Sequence, residues 1–175
     1  LGVVLWRGFT PVRDVGGADF GRAQSVEEGL ISVPRLLYGG KALSASGGHG
    51  DHRAMGVDRT DENYAQVGLG RRCDGVGEVR RAARDEIRRG AHHIKIMANG
   101  GISSPTDRIT SDQFSEDEIA AIVDEANMAD LYVVSHTYTA RSVARAVRNG
   151  VRSIAHGNLL DEDTVALFKQ AGRVR

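Results

Sequence analysis

Apolar residues in the second half of this chain follow two periods. In GEVRRAARDEIRRG (77–90), Val79, Ala82, Ala83 and Ile87 share one helical face, arginines occupy the other, and Gly90 marks the stop. SEDEIAAIVDEANMA (115–129) opens with Ser115 and Glu118 at capping-box spacing and carries a stripe of Ile119, Ile122, Val123 and Ala126. ARSVARAVRNG (140–150) closes on Asn149-Gly150, and EDTVALFKQAG (162–172) follows a capping Asp161. Short β-branched runs lie between these helices: IKIM from Ile94, LYVVSHT (131–137) and VRSIAHG (151–157). The first half is less regular. FTPVRDV (9–15) reads as a strand ended by Gly16-Gly17, and RLLYGGKALSAS (35–46) as a second strand interrupted at Gly39-Gly40. GGHGDHRAMG (47–56) reads as a glycine-rich loop, and 57–73 as loop with at most a short helix.

The resulting order is β-loop-β followed by βαβαβα. Helices that fill the gaps between consecutive strands imply parallel neighbours joined by right-handed crossovers. Two α/β architectures satisfy this: a doubly wound sheet, or a slice of a (β/α)8 barrel. No GxGxxG opens a helix, and GGHGDHRAMG lacks the lysine and strand-to-helix context of a phosphate loop.

Composition narrows the function classes. The 23 basic and 23 acidic residues cancel, so neither a nucleic-acid groove nor an anionic membrane surface is expected as a partner. No apolar run is long enough to span a bilayer, and no signal-peptide pattern is present. The single Cys73 excludes an intrachain disulfide and fits a reducing compartment, so a cytoplasmic location is expected. The first residue is Leu1, in mid-pattern, and ALFKQAGRVR stops where a helix should hand over to a strand. Both ends are therefore expected to be cuts within a longer protein.

One lysine stands out. Lys95 sits in the apolar run IKIM, where an unpaired ammonium is costly. Lys95, His136 and His156 each fall near the C-terminal end of a predicted strand, on successive βα units. In both candidate architectures that edge gathers ligands and catalysts. Singly, each is ordinary: a strand-end histidine is usually hydrogen-bonded structure, and a strand-end lysine usually packs its stem and extends its head to water. Three aligned on successive units point to a site. A desolvated neutral lysine supports two chemistries. It can attack a carbonyl to give a Schiff base, as in a lyase or aldolase, or take up CO₂ to become a carbamate that bridges cations. Two neutral imidazoles beside a carboxylate favour a divalent metal, zinc first, and hydrolysis. A non-catalytic α/β binding module is the alternative from a different class.

The stretches GFTPVRDVGG (8–17), SASGGHGDHR (44–53), IKIMANGGISSPTD (94–107), QFSEDEIAAIVDEA (113–126) and SHTYTARSVARAVRNGVRSIAHGNLLD (135–161) cover most of the chain. Together they resemble the amidohydrolase superfamily, in its imidazolonepropionase-like and Xaa-Pro dipeptidase-like branch. The resemblance implies a metal-dependent hydrolase of amide bonds, binuclear in the parent protein, acting on small dipeptide-like or N-acyl amino acid substrates. It implies Lys95 as a carboxylated metal ligand after the fourth barrel strand, and His136 and His156 as ligands after the fifth and sixth. It further implies Tyr138 facing a substrate carboxylate or developing oxyanion, and His49 reaching the scissile group. His92 and His93, at the start of their strand, are read as structural, and Arg13-Asp14 as an ion pair without an assigned role.

The chain departs from that pattern. It has no His-x-His pair, and the family's aspartate after the eighth strand has no counterpart; Ala155 stands where an acidic residue is expected. Residues 1–175 are thus expected to be an incomplete barrel domain spanning about strands 2 to 6, against about 250 residues for a whole barrel. The isolated piece is expected to be inactive. Its open sheet edges favour aggregation or assembly into a homo-oligomer.

Overall fold

The computed structural model describes residues 2–58, 69–104 and 106–172. Among these, the chain runs α1 (Gly2–Trp6), β1 (Pro11–Asp14), α2 (Phe20–Glu27), β2 (Arg35–Tyr38), β3 (Ala42–Ser44) and β4 (Gly70–Arg72). It continues through α3 (Gly75–Arg88), β5 (Ile94–Met97), α4 (Glu116–Met128), β6 (Val133–Thr139), α5 (Ala140–Arg148), β7 (Ser153–Leu159) and α6 (Glu162–Gln170).

The strands form two parallel groups, β1-β2 and β4-β3-β5-β6-β7. β2 and β3 are the interrupted strand expected from RLLYGGKALSAS. Its first half pairs with β1, Pro11 opposite Arg35, and its second half with β4, Ala42 opposite Gly70. The break is built by Gly40, whose φ of +66° is the left-handed region and whose missing side chain leaves room for the Glu86 carboxylate. Glu86 is buried and accepts from the Lys41 backbone N–H at 3.2 Å. A Gly40→Ala chain adopts a strained φ and drives a methyl into that carboxylate, so urea unfolding should show a loss of about 3 kcal/mol.

The late helices form as their sequence predicts. In α4 the Glu118 carboxylate accepts from the Ser115 backbone N–H at 2.6 Å and from its hydroxyl at 2.8 Å, closing the helix start. Asp161 caps α6 by accepting from Thr164 N–H at 2.8 Å. Three elements were not expected. α2 has little apolar stripe, only Ala23 being buried, and is held by its Asp19 cap, which accepts from Arg22 N–H at 3.0 Å. α1 buries no side chain. β4 reads Gly-Arg-Arg and exists through its pairing with β3, where tertiary context overrides local preference. Part of the stretch expected as loop or short helix, 59–68, lies outside the described residues.

Helix placement decides between the two architectures. One core cluster takes Val79 and Ala83 from α3, Ile119 and Ile122 from α4, Val143 and Val147 from α5, and Leu167 and Phe168 from α6. They all pack on Leu43, Ile94, Ile96, Val133 and Ile154, the same face of the sheet. A doubly wound sheet carries helices on both faces; here the other face carries Lys95, Met97, Val134, His136 and Ser153 outside that helical core, as in the inside of a barrel. A smaller cluster of Ala18, Ala23, Leu36 and Tyr38 holds the β1-β2 unit. No helix among the described residues is long and apolar enough to cross a membrane.

Candidate active site

Alternation along β5 separates two chemistries. Ile94 and Ile96 point to the helical core, while Lys95 and Met97 line a cavity of about 400 Å³ on the opposite face. The same cavity is lined by Arg13, His49, His136 and His156. Lys95 is 2% exposed, and its Nζ has no hydrogen-bond partner among the described residues. Burial first, then the Arg13 guanidinium, lowers its pKa to about 7. The neutral amine is therefore within reach at neutral pH.

On β6 the alternation puts Val133 in the core and His136 in the cavity. Burial, then the neighbouring His49, Lys95 and His156, lowers the His136 pKa to about 3, which fixes it as neutral imidazole. Its Nε2 lies 3.3 Å from the Gly100 carbonyl oxygen. A carbonyl only accepts, so Nε2 carries the hydrogen and Nδ1 presents a lone pair. His156 reaches the site by a different device. In the β6-β7 register it is opposite Thr137, on the outward parity, whereas His136 is opposite Ala155. A φ of +79°, uncommon outside glycine, turns the residue back. Its ring centroid ends 4.6 Å from that of His136, and burial lowers its pKa as well. The strand continues to Leu159 beyond a register shift, two residues past the end predicted from its sequence.

Both other candidates stand beside this pair. The His49 ring stacks on His136 at 4.2 Å, and burial lowers its pKa against the opposing pull of Asp107. Tyr138 stacks on His156 at 4.8 Å and meets His136 edge-on at 4.9 Å, although it does not line the cavity itself. The structure thus brings Lys95, His49, His136 and His156 to one cavity, with Tyr138 at its side. His92 accepts from the Tyr38 backbone N–H at 3.3 Å, and His93 is fully buried beneath Lys95's neighbours, stacked on Tyr132. The expected Arg13-Asp14 ion pair gives way to other bonds. Arg13 reaches across the sheet interior to Ser153 Oγ at 3.1 Å, while Asp14 Oδ1 accepts from the Gly16 and Ala18 backbone N–H groups at 3.0 Å. Local closure of the Gly16-Gly17 turn satisfies the carboxylate.

Two residues beside the site were not singled out from sequence. Asn99 accepts from Tyr138 N–H at 2.9 Å and donates to the Ser111 carbonyl at 3.0 Å. Gln113 accepts from His49 N–H at 3.0 Å. Only Asn99's place just beyond the strand that holds a buried lysine could have marked it; Gln113, just before the Ser115 cap of α4, carries no such signal.

The donor set fits a divalent cation: an amine without partner, imidazoles held neutral, and one ring nitrogen aimed by its second hydrogen bond. Among the described residues no group of three or more His, Cys, Asp or Glu side chains is placed to hold a metal; a three-ligand set needs Lys95 itself.

The model of the Amidohydrolase family matches residues 4–172. The chain belongs to the amidohydrolase family. It is 36% identical to an ochratoxinase of Aspergillus niger, the alignment covering 96% of this chain and 37% of that protein. Among solved amidohydrolase structures, a prolidase complexed with N-methylphosphonate-L-proline superposes with a TM-score of 0.96 at 53% identity, over 99% of this chain and 43% of that one. A Xaa-Pro dipeptidase with bound methionine superposes with a TM-score of 0.82 at 29% identity, over 95% and 41%. The chain thus spans about two fifths of the length of these relatives, and its fold is part of the family's (β/α)8 barrel.

Proposed function

We propose that the full-length protein is a metal-dependent hydrolase of amide bonds, taking dipeptide-like or N-acyl amino acid substrates. The observation that carries this reading is Lys95: a buried, unpartnered amine with its pKa near neutrality, in one cavity with two neutral imidazoles. Its neutral form takes up CO₂ and releases one proton, leaving a carbamate whose oxygens, with His136 and His156, would hold the cation. The donor types suit zinc. When bound, such a cation polarises the scissile carbonyl and acidifies water at neutral pH. The chain's own residues do the rest. The Gly100 carbonyl keeps His136 in one tautomer. His49 and Tyr138 flank the histidines with groups able to hydrogen-bond a substrate carboxylate or the oxygen that gains charge. The names of the related prolidase, Xaa-Pro dipeptidase and ochratoxinase support an amide bond as the target.

A Schiff-base reading uses the same neutral amine but leaves both histidines without a task. The test is made on the full-length protein. Zinc-loaded enzyme should hydrolyse members of a panel of dipeptides and N-acyl amino acids, lose turnover to a chelator and regain it with zinc. Labelled bicarbonate should give a carbamate carbon resonance that disappears in Lys95→Met. Trapping of a carbonyl compound on Lys95 by borohydride, without any carbamate, overturns the proposal.

A further inference from the structure

We propose that Gln113 is the positioning residue for His49, an inference that rests on the reading above of His49 as a group that meets the substrate. The Gln113 side chain is buried between three segments. Its Oε1 accepts from the His49 backbone N–H at 3.0 Å, and its Nε2 donates to Asp107 Oδ2 at 2.6 Å. Its own backbone N–H donates to the Ala98 carbonyl at 3.0 Å, one residue beyond β5. The side-chain amide therefore joins the loop after β5 to the loop that carries His49, and the residue's backbone N–H anchors it beside the strand of Lys95.

That same post-β5 loop also sets the His49 ring. Nδ1 lies 3.1 Å from Ser104 Oγ. The Gly101 backbone lies so close that a Cβ at that position would overlap the imidazole. The His136 stacking contact completes the ring's surroundings. Among the loop's described residues, Ile102 and Ser103 are exposed, so apolar burial there does not anchor it. Besides the Ser104 contact to the ring, its links to the His49 loop run through Gln113 and through Thr106 Oγ1, which donates to the Gly47 carbonyl at 3.3 Å. The chemistry selects an amide. The group must accept from a main-chain N–H with one atom and donate to a carboxylate with the other, which neither a carboxylate nor an aliphatic side chain does. Gln113 touches neither cavity nor donors, so it acts through His49.

The experiment is a double-mutant cycle in the zinc-loaded full-length protein, scored as kcat/KM on the dipeptide turned over best, with zinc content and Tm recorded for each variant. Gln113→Leu should lower kcat/KM by about 10- to 100-fold at full zinc content, the scale of a 1 Å misplacement. In a His49→Ala background the same change should cost less than about 3-fold, because its target is gone. If His49→Ala alone is without effect, the reading of His49 fails, and the positioning proposal fails with it. If His49→Ala is costly but Gln113→Leu is silent, or equally costly in both backgrounds, only the positioning proposal is overturned. Gln113→Met, which keeps the side chain's length without the amide, replaces Gln113→Leu should the latter not fold, and should show the same dependence on His49. Independently of turnover, the His49 ring carbon in histidine-labelled protein should lose the ring-current shift of its stack on His136 in Gln113→Leu; an unmoved resonance in folded protein overturns the proposal.

Discussion

Full-length Lys95→Met protein should be more stable than its parent at neutral pH and metal-free, and should turn over substrate at least about 10³-fold more slowly when zinc is supplied. The two effects have one origin. Lys95 is 2% exposed with no partner for its ammonium among the described residues, and burial, then the Arg13 guanidinium, takes its pKa from 10.5 to about 7. The unfolded chain keeps the higher value, so between pH 7 and pH 10.5 it binds more protons than the native one, and stability rises with pH across that window. At about 1.4 kcal/mol per unit the ceiling is roughly 5 kcal/mol, and structural relaxation with entry of water leaves about 2–3 kcal/mol. Methionine fills nearly the same volume without a charge to desolvate. Its gain should be full at pH 7 and below and should vanish above pH 10.5. Urea unfolding at pH 7 and pH 10.5 reads this directly. A metal-free Lys95→Met protein less stable than its parent at pH 7 would show that the ammonium has a partner in solution. The loss of turnover follows because no carbamate can form on a thioether.

His136→Ala should empty the site. His136 stands at the centre of the aromatic group, in ring contact with His49, Tyr138 and His156. Its aimed lone pair is the best-defined donor present. Zinc measured after gel filtration should fall to a small fraction of one equivalent, and turnover by about 10³-fold, while far-UV circular dichroism stays that of the parent. The control is His92→Ala. His92 accepts from Tyr38 N–H and packs on the Tyr38 ring at 5.0 Å, so its loss should lower Tm and leave zinc content unchanged. Equal zinc in the parent and His136→Ala proteins would remove His136 from the ligand set.

Periodicity made most of the fold legible where burial is one-sided. The stripes of α3 to α6 and the β-branched runs of β6 and β7 are direct images of a single helical layer on one face of a sheet. The same logic exposed Lys95, since a charge inside a fully buried strand contradicts its surroundings. It was less informative where structure depends on distant partners. β4 carries no apolar residue, and α2 relies on one cap and one buried alanine. At His156 strand alternation alone sends the side chain outward, and a positive φ that no local pattern announces brings it to the cavity. Asn99 and Gln113 were invisible because their importance lies in main-chain groups of other loops, which a side-chain pattern does not display.

The break at Gly39-Gly40 also divides the molecule in time. Among the described residues, strand pairing on its N-terminal side joins only β1 to β2, around a core of four buried side chains, whereas β3 onward shares one large core. Two units of unequal depth are expected, and hydrogen exchange should show the smaller one exchanging its amides sooner. Lys95, His136 and His156 all belong to the slow unit, and Arg13 to the fast one. The candidate ligands therefore share one core, while the part of the cavity wall that Arg13 supplies belongs to the unit expected to open first.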